Sequence, residues 1–133
     1  MKRYNPSEIE PKWQQKWDES RLYEVQANPN KQKMYISGMF PYPSGAGLHT
    51  GHARSYTIVD TIARFHRQHG KNVLNPIGWD TFGLPAENYA IKTGISPQQA
   101  TRENIDNFKR QFKRLRISID WSREINTSDH EYY

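Results

Sequence analysis

His49 and His52 stand three residues apart around Gly51, where a glycine-rich stretch (Gly45, Gly47) gives way to a helical pattern. A helix amino terminus offers unpaired N–H groups and a partial positive charge, a natural place for phosphate. Two imidazoles on adjacent turns there can donate hydrogen bonds to an oxyanion as charge develops on it. Gly51 has no side chain, so a flat base can lie against its backbone. Two plainer readings stay open: ordinary surface histidines, or a zinc-chelating pair. His66 and His69 repeat the spacing without any such loop. Neither pair has a third ligand at a recognisable spacing, and the chain has no cysteine, so no metal site is expected.

Asp80 follows Gly78 and Trp79 at the end of an apolar run. A desolvated carboxylate complements an ammonium group by about 1.5–3 kcal/mol. The alternative is a loop aspartate capping a helix. Glu87 lies on the segment that follows and can pair with a nearby base. Met39, Phe40 and Tyr42 precede the glycine-rich stretch as either core or the wall of an apolar pocket.

The elements that must carry these residues can be read from periodicity. Residues 33–40 and 72–77 read as strands, and 117–121 as a third. Pro41 and Pro43 prevent the first from continuing. Helices are expected over 51–69, with Tyr56, Val59, Ile62 or Ala63, and His66 on one side, and over 85–92. A longer helix capped by Thr101 carries Ile105, Phe108, Phe112 and Leu115. Ahead of them, Asn5 caps a helix reaching about residue 20, with Glu8 in capping-box position and Ile9, Trp13 and Trp17 as a packing stripe. Thr127, Ser128 and Asp129 read as a further helix start, and residues 26–33 as a polar linker. Strands alternating with helices imply a parallel sheet with right-handed crossovers. Ligands in such sheets sit beyond the carboxyl ends of the strands. The loops 41–47 and 78–87 both follow strands and belong on that rim.

The 133 residues allow one domain. Only 35% are hydrophobic, and mean hydropathy is −1.00, so one face is expected to need covering. Aromatic content of 13% argues against disorder. No stretch is apolar enough to span a membrane, which with the missing cysteines points to a soluble, cytoplasmic protein. The net charge of +5 suits a polyanionic partner. It is concentrated in Lys109, Arg110, Lys113, Arg114 and Arg116, and in Arg64, Arg67 and Lys71. These clusters are either solvated helix faces or phosphate contacts.

Taken together, the segment from Met39 to His52, with Phe-Pro-Tyr-Pro-Ser-Gly leading into His49-Thr50-Gly51-His52, resembles the first signature of class I aminoacyl-tRNA synthetases in its leucyl form. Gly78-Trp79-Asp80-Thr81-Phe82-Gly83-Leu84-Pro85-Ala86-Glu87 resembles a second leucyl block, and Asp120-Trp121-Ser122-Arg123-Glu124 a third. The residues from Tyr4 to Trp17 are similar to the family's opening helix. One departure is Arg116, where the family pattern leads us to expect glycine.

The resemblance implies an α/β fold: an amino-terminal helix and linker (1–32), then the first half of a Rossmann-like nucleotide-binding domain with a parallel sheet (33–133). It implies an ATP-dependent leucine–tRNA ligase. His49 and His52 would contact the phosphates of magnesium-bound ATP, and Gly51 would lie against adenine. Asp80 would hold the leucine ammonium, while Met39, Phe40 and Tyr42 would border the leucine side chain. No tightly bound cofactor is implied. The partners implied are ATP, leucine, tRNA(Leu) and the remainder of a synthetase chain or a complementing subunit. The second signature, Lys-Met-Ser-Lys-Ser, does not occur in these residues, so the chain is expected to supply only the amino-terminal part of a catalytic site and to be inactive alone. A nucleotidyltransferase sharing only the His-x-Gly-His loop, and a non-catalytic RNA-binding module, are the rival readings.

Overall fold

The computed structural model describes residues 3–43 and 47–132; Ser44, Gly45 and Ala46 of the glycine-rich stretch lie outside them. Among the described residues, four helices and four short strands follow one another along the chain. They are α1 (Pro6–Glu19), β1 (Lys33–Tyr35), α2 (Thr50–Gln68), β2 (Asn72–Leu74), β3 (Gly78–Trp79), α3 (Leu84–Thr93), α4 (Pro97–Leu115) and β4 (Ile125–Asn126). Single 3-10 turns cover Trp121–Arg123 and His130–Tyr132. The latter stands where a further helix start was expected.

All strand pairing is parallel, as the alternation predicts, but it forms two small ladders. β1 pairs with β2 (Lys33 opposite Asn72), and β3 pairs with β4 (Gly78 opposite Ile125). The expected second strand, 72–77, ends at Leu74, ahead of Pro76, which has no N–H to give to a ladder; β3 begins only at Gly78, beyond the expected span. The first strand stops at Tyr35 and not at residue 40; its last ladder bond runs from the Ile36 amide to the Leu74 carbonyl at 2.9 Å.

The expected third strand, 117–121, is buried but is not a strand. The Ser118 amide is taken by the Asp60 carboxylate at 2.7 Å, and the Ser118 carbonyl accepts from the Asn75 side chain at 3.0 Å. The segment keeps one backbone bond across to the chain between β2 and β3, from the Asp120 amide to the Asn75 carbonyl at 2.9 Å, and β3 pairs with Ile125–Asn126.

Three helix expectations also change. α4 begins at Pro97, capped by Ser96, whose hydroxyl accepts the Gln99 amide at 3.2 Å; Thr101 is buried inside it. Proline suits the first helical position, where its missing N–H costs nothing. α2 turns Tyr56, Asp60 and Ala63 inward, leaving Ile62 exposed, and on α4 Leu115 is exposed as well. On α1, Asn5 caps through the Ser7 amide at 3.3 Å, but no residue of the helix is buried. Its stripe meets arginines instead of core: the guanidiniums of Arg64 and Arg116 lie 5.9 and 5.6 Å from the Trp17 ring.

Phe108 and Phe112 of α4 meet Tyr56, Ile77, Trp79, Ile117 and Ile119 in the central cluster. Each buried phenylalanine stabilises the fold by about 1.5–3 kcal/mol. This cluster ties α2, β3 and α4 together directly beneath the strand exits. Arg116 ends α4 with φ 59° and ψ 37°, the left-handed turn for which glycine is expected. Its side chain pairs with Asp18 at 3.1 Å and donates to the Gln14 carbonyl, contacts a glycine would lack.

Candidate active site

The amino terminus of α2 is closed by the two motif histidines. His49 is the N-cap: its Nδ1 accepts the His52 amide at 3.3 Å, while Nδ1 of His52 accepts the His49 amide at 3.2 Å. The rings stack at 3.7 Å between centroids, 22° from parallel. Because each Nδ1 serves as an acceptor, each neutral ring carries its proton on Nε2. Burial, and then the neighbouring His49, lower the His52 pKa below its ordinary value and favour the neutral form. The pair therefore presents two Nε2–H donors at a helix terminus. The amides of Thr50 and Gly51, in the first turn, precede the reach of any intrahelical carbonyl and add donors to the same end.

Gly51 has a reason within the fold. A Cβ there would lie 2.8 Å from Cε1 and 2.9 Å from Nδ1 of His49. Any side chain at 51 displaces the His49 ring, and with it the reciprocal cap.

The exit of β1 and the exit of β3 meet. The Asp80 amide donates to the Pro41 carbonyl at 3.1 Å. The Asp80 carboxylate, through hydrogen bonding and then its charge, raises the Tyr42 pKa. Phe40 folds back over β3, where a Cβ on Gly78 would collide with its ring. Met39 is 90% exposed, and its carbonyl accepts the hydroxyl of Tyr56. The structure thus joins Tyr42 to Asp80 and His49 to His52, packs Phe40 inward, and leaves the Met39 side chain in solvent. Glu87, on α3, borders a separate open cleft of about 800 Å³ with Thr81, Arg102 and Asp129.

Three contributors were not read as site residues from the sequence. Tyr56 passed for a core position, yet its ring lies under Gly38, where a Cβ would be 2.9 Å away, and its hydroxyl fixes Met39. Asn104 donates to the Pro43 carbonyl at 2.9 Å, and Gln111 accepts the Leu48 amide at 2.6 Å. Both are amides on the face of α4 that carries Phe108. A polar residue on an apolar face is the signal that would have found them.

Among the described residues no group of three potential metal ligands occurs, and His69 bonds the Phe65 carbonyl at 2.8 Å. Of the basic clusters, Lys109 pairs with Glu124 at 2.6 Å, Arg64 with Asp60 at 2.7 Å, and Arg67 donates to Ser118. Arg110, Lys113 and Arg114 remain exposed. No described helix is long and apolar enough to cross a membrane.

The family model for tRNA synthetases class I (M) matches residues 34–133. The chain belongs to the class I tRNA synthetases. Two solved structures of this family are similar to it. One is the LeuRS (agnB2) of Agrobacterium radiobacter K84 in a ternary complex with tRNA and LeuAMS: 42% identity, TM-score 0.91, 98% of this chain and 17% of that one. The other is methionyl-tRNA synthetase of Mycobacterium tuberculosis with methionyl-adenylate: 35% identity, TM-score 0.69, 75% of this chain and 19% of that one. The chain thus spans about a sixth to a fifth of each synthetase it matches. Its fold is the Rossmann-like α/β arrangement of the class I amino-terminal region, with parallel strands behind a leading helix.

Proposed function

We propose that this chain supplies the ATP- and leucine-binding part of a leucine–tRNA ligase. What supports leucine is the likeness to LeuRS over 98% of the chain, including the leading helix, against 75% for the methionyl enzyme. In this reading, the leucine carboxylate attacks the α-phosphorus of magnesium-bound ATP, giving leucyl-adenylate and pyrophosphate. The terminal ribose hydroxyl of tRNA(Leu) then attacks the leucyl carbonyl and takes the leucyl group, with AMP leaving. Transfer at phosphorus asks mainly for positioning and charge stabilisation. The Nε2–H groups of His49 and His52 and the open amides of α2 meet the phosphate charge, and Gly51 lies against adenine. Asp80, whose amide is held by the Pro41 carbonyl, takes the leucine ammonium. Met39, Phe40 and Tyr42 border its side chain. The remaining parts of the reaction belong to the rest of a synthetase.

The test is a chimera in which this chain replaces the matching 17% of a complete leucyl-tRNA synthetase. Leucine-dependent ATP–pyrophosphate exchange is expected. Methionine is the specific competitor, because a methionyl-tRNA synthetase is among the similar structures. Exchange driven by methionine and not by leucine would overturn the leucyl assignment and keep the synthetase one.

A further inference from the structure

Two side-chain amides on α4, Asn104 and Gln111, reach the backbone on either side of the glycine-rich stretch, and they do so with opposite polarity. Seven residues set them about 10.5 Å apart on one face of the helix. Between them, Phe108 sits in the central cluster and meets the His52 ring edge-on at 5.8 Å. Asn104, 7% exposed, donates through Nδ2 to the Pro43 carbonyl at 2.9 Å. Gln111 accepts through Oε1 from the Leu48 amide at 2.6 Å, one residue before His49. Gly47 makes room for this: its φ is +138°, and a Cβ would come within 2.6 Å of the Gln111 oxygen.

We propose that Asn104 and Gln111 are positioning residues, fixing the backbone at Pro43 and Leu48 so that the His49–His52 pair is aimed at the ATP phosphates. This rests on the reading of that pair as the ATP-binding end of the site. A carbonyl can only accept and an amide N–H can only donate. Position 104 therefore requires a donor and position 111 an acceptor. A role in packing alone sets no such requirement, since each amide and its isosteric acid fill the same volume. At 111 a carboxylate still accepts from Leu48. At 104 it loses the donor and sets a charge against the Pro43 carbonyl.

The experiment compares Asn104→Asp, Gln111→Glu and Gln111→Leu. In the chimera, Gln111→Glu is expected to keep kcat/KM for ATP within about threefold. Asn104→Asp and Gln111→Leu are expected to lower it about tenfold or more, the usual consequence of leaving a buried polar group unpaired. The KM for leucine should stay unchanged in all three. In the unaltered 133-residue chain, amide hydrogen exchange at Leu48 should be accelerated by Gln111→Leu and left slow by Gln111→Glu. Equal loss in both acid variants, or no effect in either, overturns the proposal. Should the chimera exchange with no amino acid at all, the function assignment falls. The Leu48 exchange rates still decide whether Gln111 holds that amide.

Discussion

Nδ1 of His49 and Nδ1 of His52 each accept the other residue's backbone N–H, so one geometry caps α2 and sets both tautomers. The cap exists only while those nitrogens are unprotonated. Burial and His49 lower the His52 pKa from its ordinary 6.5. A depressed folded value means that the stability contributed by neutral His52 is fully present above pH 6.5. It is lost as the pH falls through the folded value. Histidine ring protons followed by NMR should give a midpoint for His52 below 6.5, with the Thr50 and Gly51 amides shifting alongside. A midpoint at or above 6.5 would remove the cap from the account.

Replacing His52 tests its chemistry. His52→Ala in the chimera should lower leucine-dependent pyrophosphate exchange by about two to three orders of magnitude, the effect of losing one transition-state donor. Near-normal exchange would take His52 out of the mechanism.

Asp80 and Tyr42 make a second coupled pair. Asp80→Asn should raise the KM for leucine with ATP little affected. In the same variant the Tyr42 pKa should fall back toward 10.0, because both the hydrogen bond and the charge that raise it are weakened. Selective labelling of tyrosine rings would resolve the second effect. Equal damage to both substrates would mark Asp80 as structural.

Arg116 separates conformation from contact. Arg116→Ala keeps the strained left-handed turn and loses the Asp18 and Trp17 contacts, whereas Arg116→Gly loses the contacts but relieves the turn. Gly should therefore be more stable than Ala at this position by about 1 kcal/mol, read from denaturant midpoints. An alanine variant as stable as the glycine one would show that the turn relaxes.

Asp60 holds Arg64 and the Ser118 amide from a buried site. Asp60→Ala leaves the buried Ser118 amide without its acceptor, while Arg64 keeps its bond to the Arg116 carbonyl at 2.6 Å, and should cost about 1–3 kcal/mol. Thermal unfolding would measure it, and a loss under about 1 kcal/mol would show that water replaces the carboxylate.

What the sequence revealed of this fold and site depended on how local the determinant was. The helix beginning at the histidines and the parallel pairing of the strands follow from short patterns around Gly51 and Gly70. The pairing of β3 with Ile125–Asn126 does not. It joins residues 47 apart in the chain, and no local periodicity encodes such a pairing. On the inward face of α2, Tyr56 and Ala63 follow from periodicity but Asp60 does not, since it looks like a surface residue until Arg64 and Ser118 are beside it. The chemical character of Trp13 and Trp17 was plain, but what they pack against was not. Arg116 was noticed as a departure, and only the structure shows the left-handed turn that its contacts hold.

The leading helix α1 buries none of its residues, and its Trp17 is flanked by the guanidiniums of Arg64 and Arg116. Releasing it would uncover the half-buried Ile9 and Trp17 but none of the central cluster, and apolar surface is what gives unfolding its heat capacity. Undocking of α1 is therefore expected to carry a heat-capacity change much smaller than that of the core and to weaken as ionic strength rises. The helix would behave as an electrostatic latch on a core whose own unfolding obeys the opposite dependence.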